Sequence, residues 1–313
     1  MPQVQFKEMM EAAEAGRYAV GYFESWNMES LFAVADAATA MRSPVILGFS
    51  GIHLPAAEQD KKERLRVCAN LGTALCRSLP VPACLVFNES PHMDWVLEGI
   101  RVGFDMVMYT DETLSLPEQQ LRVRRVVEQA NPTSVAVEGE MTSLPGVNGV
   151  LTAPPGDLRL TDPEMARDFV ECTGVDALAV NIGQVHVHGR RQVQLNFGTL
   201  ERLRQTVPVP LVLHGATSVS DADLAEAVRL GVRKINVGSA LKTVYFEGLR
   251  RACRAVDGQY NPYEVLGSGS ETDVLAAGRH AMTAKVEHYM RVFGSAGKAE
   301  LTITPAPAES IQA

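Results

Sequence analysis

Eight times along this chain a short apolar run, rich in β-branched and aromatic residues, is followed by a longer stretch of helical period. That alternation is the signature of β/α units around a parallel sheet. The candidate strands are Tyr18 to Phe23, Pro44 to Ser50, Ala83 to Asn88, Met106 to Tyr109, Ser134 to Glu138, Ala177 to Ile182, Leu211 to His214 and Lys234 to Val237. Eight is the number that closes a barrel. Helical patterns follow them at Met28 to Met41, Asp60 to Ser78, Met93 to Arg101, Pro117 to Gln129, Asp162 to Cys172, Leu200 to Arg204, Asp221 to Arg229 and Ala240 to Val256. The expected fold is an α/β (β/α)8 TIM barrel with an extra C-terminal helix, Thr272 to Phe293, after the break Gly267 to Gly269. At 313 residues and 46% hydrophobic content one core is enough, so residues 1–301 are expected to form a single domain. Residues 302–313, with Pro305 and Pro307, are expected to be a disordered tail.

A barrel of this kind places its chemistry at the C-terminal ends of the strands. The residues to inspect there are Ser50, Asn88 and Glu89, Thr110 and Asp111, Glu138 and Glu140, Gly183 to Gly189, His214 to Ser218, and Asn236 to Ser239. His186 and His214 come from neighbouring strand ends and would converge above the barrel axis. Two such imidazoles suit a divalent transition metal, with Glu89 and Glu140 available to complete a shell of zinc-like composition. The competing reading is a pair of hydrogen-bonding histidines in a polar barrel mouth.

The seventh and eighth strand ends open into small, hydroxyl-rich turns, His214-Gly215-Ala216-Thr217-Ser218 and Asn236-Val237-Gly238-Ser239. Turns of this composition at helix starts offer backbone N–H groups and hydroxyls to a phosphate, in the usual barrel position for one. The same hydroxyls also serve as plain helix caps.

Other classes are set aside by composition. The net charge is -8, and Lys and Arg form no run that would track a nucleic acid or an anionic membrane. No apolar run approaches the ~20 residues that span a bilayer, and the first residues, which have no basic stretch followed by an apolar one, are not expected to be a secretory leader. Five widely spaced cysteines read as reduced core residues, so the chain is expected to be soluble and cytoplasmic.

The ordered set Tyr18-Ala19-Val20-Gly21-Tyr22-Phe23, Gly103-Phe104-Asp105-Met106-Val107-Met108, Val137-Glu138-Gly139-Glu140, Asp176 to His186, Pro208 to Gly215, Gly231 to Val237 and Phe293 to Ala299 resembles the class II fructose- and tagatose-bisphosphate aldolases. The matches run in order over roughly residues 5 to 300. The resemblance implies His186 and His214 as zinc ligands and Asn236 as a contact of the dihydroxyacetone phosphate moiety. Thr217, Ser239 and Gly215, next to Gly238, would receive the phosphate, with Ser50 at the end of the second strand and Arg190 beside the phosphate. It further implies a divalent metal, Zn2+, a small phosphorylated sugar as partner, and a homodimer or homotetramer.

The chain departs from that pattern where the family does its chemistry. The third-strand signature His-Leu-Asp-His-Gly is here Val86-Phe87-Asn88-Glu89-Ser90, which puts Asn88 in the acid/base position and Glu89 in a zinc-ligand position. An amide does not exchange a proton near neutrality as a carboxyl does. Glu89 is then a metal ligand, or a general base with metal held by His186, His214 and Glu140; Glu138 or Glu140 would replace the missing Asp. His92 is a further candidate ligand on the same loop. The family's Asp after the fourth strand is Thr110, with Asp111 one place on, its Gly after the sixth-strand His is Val187, and an Asn near the first strand is Glu24. The loop Met141 to Gly156 contains no acid. The expected function is a metal-dependent aldol or retro-aldol lyase acting on a phosphorylated ketose or dihydroxyacetone phosphate-type substrate. Alternatives are a metal-dependent sugar-phosphate isomerase or epimerase, and a non-catalytic sugar-phosphate binder.

Overall fold

The computed structural model describes residues 3–52, 61–141, 144, 160–185, 193–256 and 258–301. Eight parallel strands close on one another in sequence order, each bonded to its neighbours and the last to the first. They are β1 (Val20–Glu24), β2 (Val45–Ser50), β3 (Ala83–Ser90), β4 (Met106–Tyr109), β5 (Ala136–Glu140), β6 (Ala177–Ala179), β7 (Leu211–Leu213) and β8 (Val232–Val237). The expected (β/α)8 barrel is therefore present. Its strands differ from expectation mainly at their ends: β3 runs on to Ser90, and β5 is shifted two residues to finish on Glu140.

Helices precede and separate the strands: α1 (Phe6–Gly16), α2 (Met28–Met41), α3 (Lys61–Ser78), α4 (Met93–Val102), α5 (Leu116–Ala130), α6 (Pro163–Thr173), α7 (Phe197–Thr206), α8 (Asp221–Arg229) and α9 (Ser239–Ala255). A short turn, α10 (Pro262–Val265), leads to α11 (Val274–Val292). Local chemistry sets several starts. Asp162 accepts from the N–H groups of Glu164 and Met165 ahead of Pro163, and Asn27 and Ser30 cap each other reciprocally at α2. The expected extra C-terminal helix is α11, packed on α2 and α9 and tied to α2 by Arg279, whose guanidinium reaches Asp36 at 2.6 and 2.8 Å.

Because side chains alternate across a strand, one set faces the helices and the other fills the barrel. Phe23, Leu47, Leu85, Phe87, Val107, Val137, Leu178 and Ile235 belong to the outer layer, while Val20, Tyr22, Ile46, Val86, Met106, Ala136, Ala177 and Val212 fill the interior. The bulky Tyr22 on β1 stands across from small alanines on β5 and β6, so the interior is packed rather than open. The helix α1, which strand–helix alternation does not foretell, adds Phe6, Met9 and Met10 to that inner cluster and closes the N-terminal end. Only the C-terminal end is left for a site.

Among the described residues no helix is long and apolar enough to cross a membrane. Cys68, Cys76 and Cys84 are buried as expected, but Cys172 and Cys253 are exposed, which corrects the reading of all five as core residues. The latter two fall on solvent-facing positions of α6 and α9. The expected tail 302–313 lies outside the described residues.

Candidate active site

Parity along the strands brings the polar residues together. Glu24, Ser50, Asn88, Glu138, Glu140, His214 and Asn236 all continue the inward-facing series of their strands past the apolar layers, and all are buried. Glu89 is the exception, since alternation would send it outward. Two features turn it back: the β3–β4 register shifts between Phe87 and Ser90, and Glu89 itself sits at φ 46°. A bulge that re-aims a side chain, with a non-glycine residue in the left-handed region, is backbone strain of about 1–3 kcal/mol held in place by its surroundings.

The re-aimed carboxylate meets His214. His214 Nδ1 donates to Glu89 Oε1 at 2.9 Å, and Nε2 donates to Glu138 Oε1 at 2.7 Å. Glu138 is fully buried, and its Oε2 lies 2.8 Å from Lys234 Nζ, an ion pair whose angle is not that of a directed hydrogen bond. Lys234 Nζ also donates to Asn236 Oδ1 at 2.6 Å. The Asn236 amide nitrogen stands 2.9 Å from His214 Nε2 and 3.4 Å from Asn88 Oδ1. The result is a continuous buried polar network across β3, β5, β7 and β8. Lys234 was not among the expected site residues. Its signal is simple: it stands two places before Asn236, hence on the same inward face.

Charges in this network shift in the directions their neighbours dictate. Burial lowers the His214 imidazole, but the two carboxylate bonds outweigh it and push the ring up to about 10. Burial raises Glu138, yet Lys234 and His214 more than offset that and hold its carboxyl below the usual range. Among the described residues Glu140 has no cation in direct contact. Burial dominates there, Glu89 and Glu138 add to it against the partial relief of His214 and Thr110, and the carboxyl is pushed up to about 7. Thr110 Oγ1 donates to its Oε2 at 3.0 Å.

On the other side of the mouth are the small turns. Gly215, at φ 66°, precedes a 3-10 turn (Ala216–Ser218), and Gly238 is the N-cap of α9. Ser239 Oγ donates to Thr217 Oγ1 at 3.0 Å, which also accepts from the Ala240 N–H at 3.2 Å. Ser50 is buried with its hydroxyl unpartnered among the described residues. Two other candidates do local work: Asp111 ties its own turn through Thr113, and the His92 ring packs at a tilt against Trp95 with ring centroids 4.3 Å apart. His186, Arg190, Val187 and all but Met141 and Leu144 of the loop Met141 to Gly156 lie outside the described residues.

The family model of the class-II fructose-bisphosphate aldolases matches residues 4–298. The chain belongs to the class-II fructose-bisphosphate aldolase family. Among relatives of this aldolase, a sulfofructosephosphate aldolase of Alkalicoccus urumqiensis is 28% identical over 299 residues, covering 96% of this chain and 99% of that protein. A fructose-bisphosphate aldolase of Thermus caldophilus is 31% identical over 315 residues, covering 93% and 98%. The crystal structure of the YdjI aldolase from Escherichia coli K12 superposes with a TM-score of 0.79 at 26% identity, covering 95% of this chain and 99% of that one. An aldolase-type lyase on a (β/α)8 barrel is thus established for this chain, and family membership implies a divalent metal.

The residues present fit such an ion. Two donors bound at about 2.0–2.2 Å to a tetrahedral ion stand about 3.3 Å apart. His214 Nδ1 and Glu89 Oε1 stand 2.9 Å apart with a proton between them. The opposite ring nitrogen is held by Glu138, the carboxylate–histidine arrangement that orients a metal-binding imidazole. Among the described residues no three His, Cys, Asp or Glu side chains cluster closely enough to complete a shell. The expected third donor, His186, is not among them.

Proposed function

We propose that this aldolase carries out retro-aldol cleavage, and the reverse aldol addition, on a phosphorylated ketose, with Glu140 as the proton-transfer group. The observation that carries the reading is the His214 imidazole gripped by Glu89 and Glu138 beside Asn236, with a carboxyl poised near neutrality close by. His214, Glu89 and His186 would hold the ion, with zinc as the metal and Glu89 a ligand rather than a base. A divalent ion bound there polarises the ketone and offsets the negative charge of the enediolate.

The chain's own groups do the rest. Glu138 has one oxygen on His214 and the other on Lys234, which leaves it a positioning residue and removes it as a candidate acid or base. Asn88 cannot exchange a proton near neutrality. Glu140 takes the proton from the hydroxyl of the carbon beyond the scissile bond. The C–C electron pair passes into the carbonyl, the aldehyde departs, and the proton returns to the enediolate carbon. Asn236 is held by Lys234 through its amide oxygen, which leaves the amide nitrogen, beside His214 and Asn88, to donate to the developing oxyanion. Thr217, Ser239, Gly215 and Gly238 receive the phosphate, with Ser50 facing the same space. The same reading carries Arg190 beside the phosphate and a homodimer or homotetramer in the cytoplasm.

The test is release of dihydroxyacetone phosphate from a panel of ketose phosphates, before and after chelation. Chelation-sensitive release supports the reading. Release indifferent to chelation contradicts it, and so does solvent deuterium entering the ketose with no triose formed, which would mark an isomerase or epimerase.

A further inference from the structure

The cradle at the start of α9 is occupied by a group from the chain itself. Glu24 closes β1 and is 7% exposed. Its Oε1 accepts from Lys242 Nζ at 2.7 Å. Its Oε2 lies so close to the Gly238 backbone that a Cβ at that position would run into it. The carboxylate therefore sits against the N-cap of a 17-residue helix, bonded to a lysine from that helix's first turns. Partial positive charge from the helix start and a full cation beside it are the surroundings of a bound anion. Here the anion is a side chain.

We propose that Glu24 is a resident stand-in for the substrate's phosphate, and that Lys242 is the cation it keeps in place. On binding, the phosphate displaces the Glu24 carboxylate from Lys242 and takes over the start of α9. This rests on the reading above that the substrate is phosphorylated. The geometry allows the exchange. Lys242 keeps 36% of its side chain exposed, and its Nζ lies 5.6 Å from the Trp26 ring centre, which retains the ammonium at the cradle when Glu24 leaves. Glu24 and a phosphate cannot share the cradle, because like charges a few ångströms apart repel strongly in a half-buried site. The displacement also selects: a terminus with two negative charges displaces one carboxylate more readily than a singly charged end does. Glu24 and Lys242 are thus specificity-determining residues.

The experiment is calorimetric titration of orthophosphate and of dihydroxyacetone phosphate into the full chain and into Glu24→Gln, Lys242→Gln and the double variant. Glu24→Gln removes the competitor and is expected to tighten both ligands about tenfold. Lys242→Gln is expected to loosen both about tenfold, and by a larger factor in the Glu24→Gln background, because Lys242 touches the phosphate itself and there has no ion pair to give up first. Unchanged or weaker binding by Glu24→Gln overturns the proposal. So does a Lys242→Gln effect that vanishes in the double variant, which would make Lys242 only a neutraliser of Glu24. Equal binding of dihydroxyacetone phosphate by all four proteins overturns the displacement and leaves the phosphorylated-substrate reading standing. Binding by none of them brings down both.

Discussion

Two lysine–glutamate pairs in the barrel have nearly the same distance, Lys234–Glu138 at 2.8 Å and Lys242–Glu24 at 2.7 Å. Their surroundings differ. Both partners of the first are fully buried, whereas Lys242 is 36% exposed beside a Glu24 side chain that is 9% exposed. A buried pair left with one member is a charge without water or partner, while a pair whose lysine reaches water exchanges partners at lower cost. The first pair therefore serves as a fixture that orients His214 and Asn236. The second is suited to open for a ligand. The chemical half of the site is rigid by burial and the binding half is exchangeable by exposure.

The largest effect expected from breaking the rigid half is on rate. Glu140→Gln should lower kcat/KM for ketose-phosphate cleavage by about 10²- to 10⁴-fold, the range for loss of a general acid/base; a loss of less than about tenfold would remove Glu140 from that role. The same variant should gain stability with a definite pH dependence. The folded carboxyl titrates near 7 against an ordinary 4.5, so between those values the folded state holds the extra proton and wild-type stability falls as pH rises. Calorimetric melts of wild type and variant should nearly coincide below pH 4.5 and separate up to pH 7. The gap beyond that should be of order 3 kcal/mol.

Lys234→Met comes next. It strands Glu138 and frees Asn236, and urea unfolding should show a loss of about 3–5 kcal/mol. A loss below about 1 kcal/mol would mean that the pair is no fixture. Thr110→Val is gentler, removing one hydrogen bond worth about 1 kcal/mol. Because that bond favours the ionised Glu140, the pH–rate midpoint should move upward, and a downward move would contradict the assignment. Smallest is Lys242→Gln, whose effect on unfolding should stay within about 1 kcal/mol however much it alters phosphate binding.

Much of this is legible in the sequence. Strand count and order follow from the alternation of patterns, and parity along β1, β2, β3, β5, β7 and β8 turns Glu24, Ser50, Asn88, Glu138, Glu140, His214 and Asn236 inward. What parity cannot reveal is a bulge. Glu89 falls on the outward series, and only its positive φ and the register shift after Phe87 bring it to His214. Nor does spacing separate the roles of Glu138 and Glu140, two places apart on one face. Lys234, reaching across the barrel from β8, decides that by claiming one and leaving the other. The helix α1 carries Phe6, Met9, Met10 and Ala13 at helical spacing, yet a β/α repeat that begins with a strand has no place for it.

The central claim is that Glu89 has taken a metal ligand's place while Glu140 has taken over proton transfer from the position of Asn88. A crystal structure of the zinc-loaded protein tests the first half directly. The account predicts one ion with a Glu89 oxygen and His214 Nδ1 both at about 2.0–2.2 Å. An ion bound without Glu89, or a His214 still bridged to Glu89 by a proton at full zinc occupancy, would contradict it.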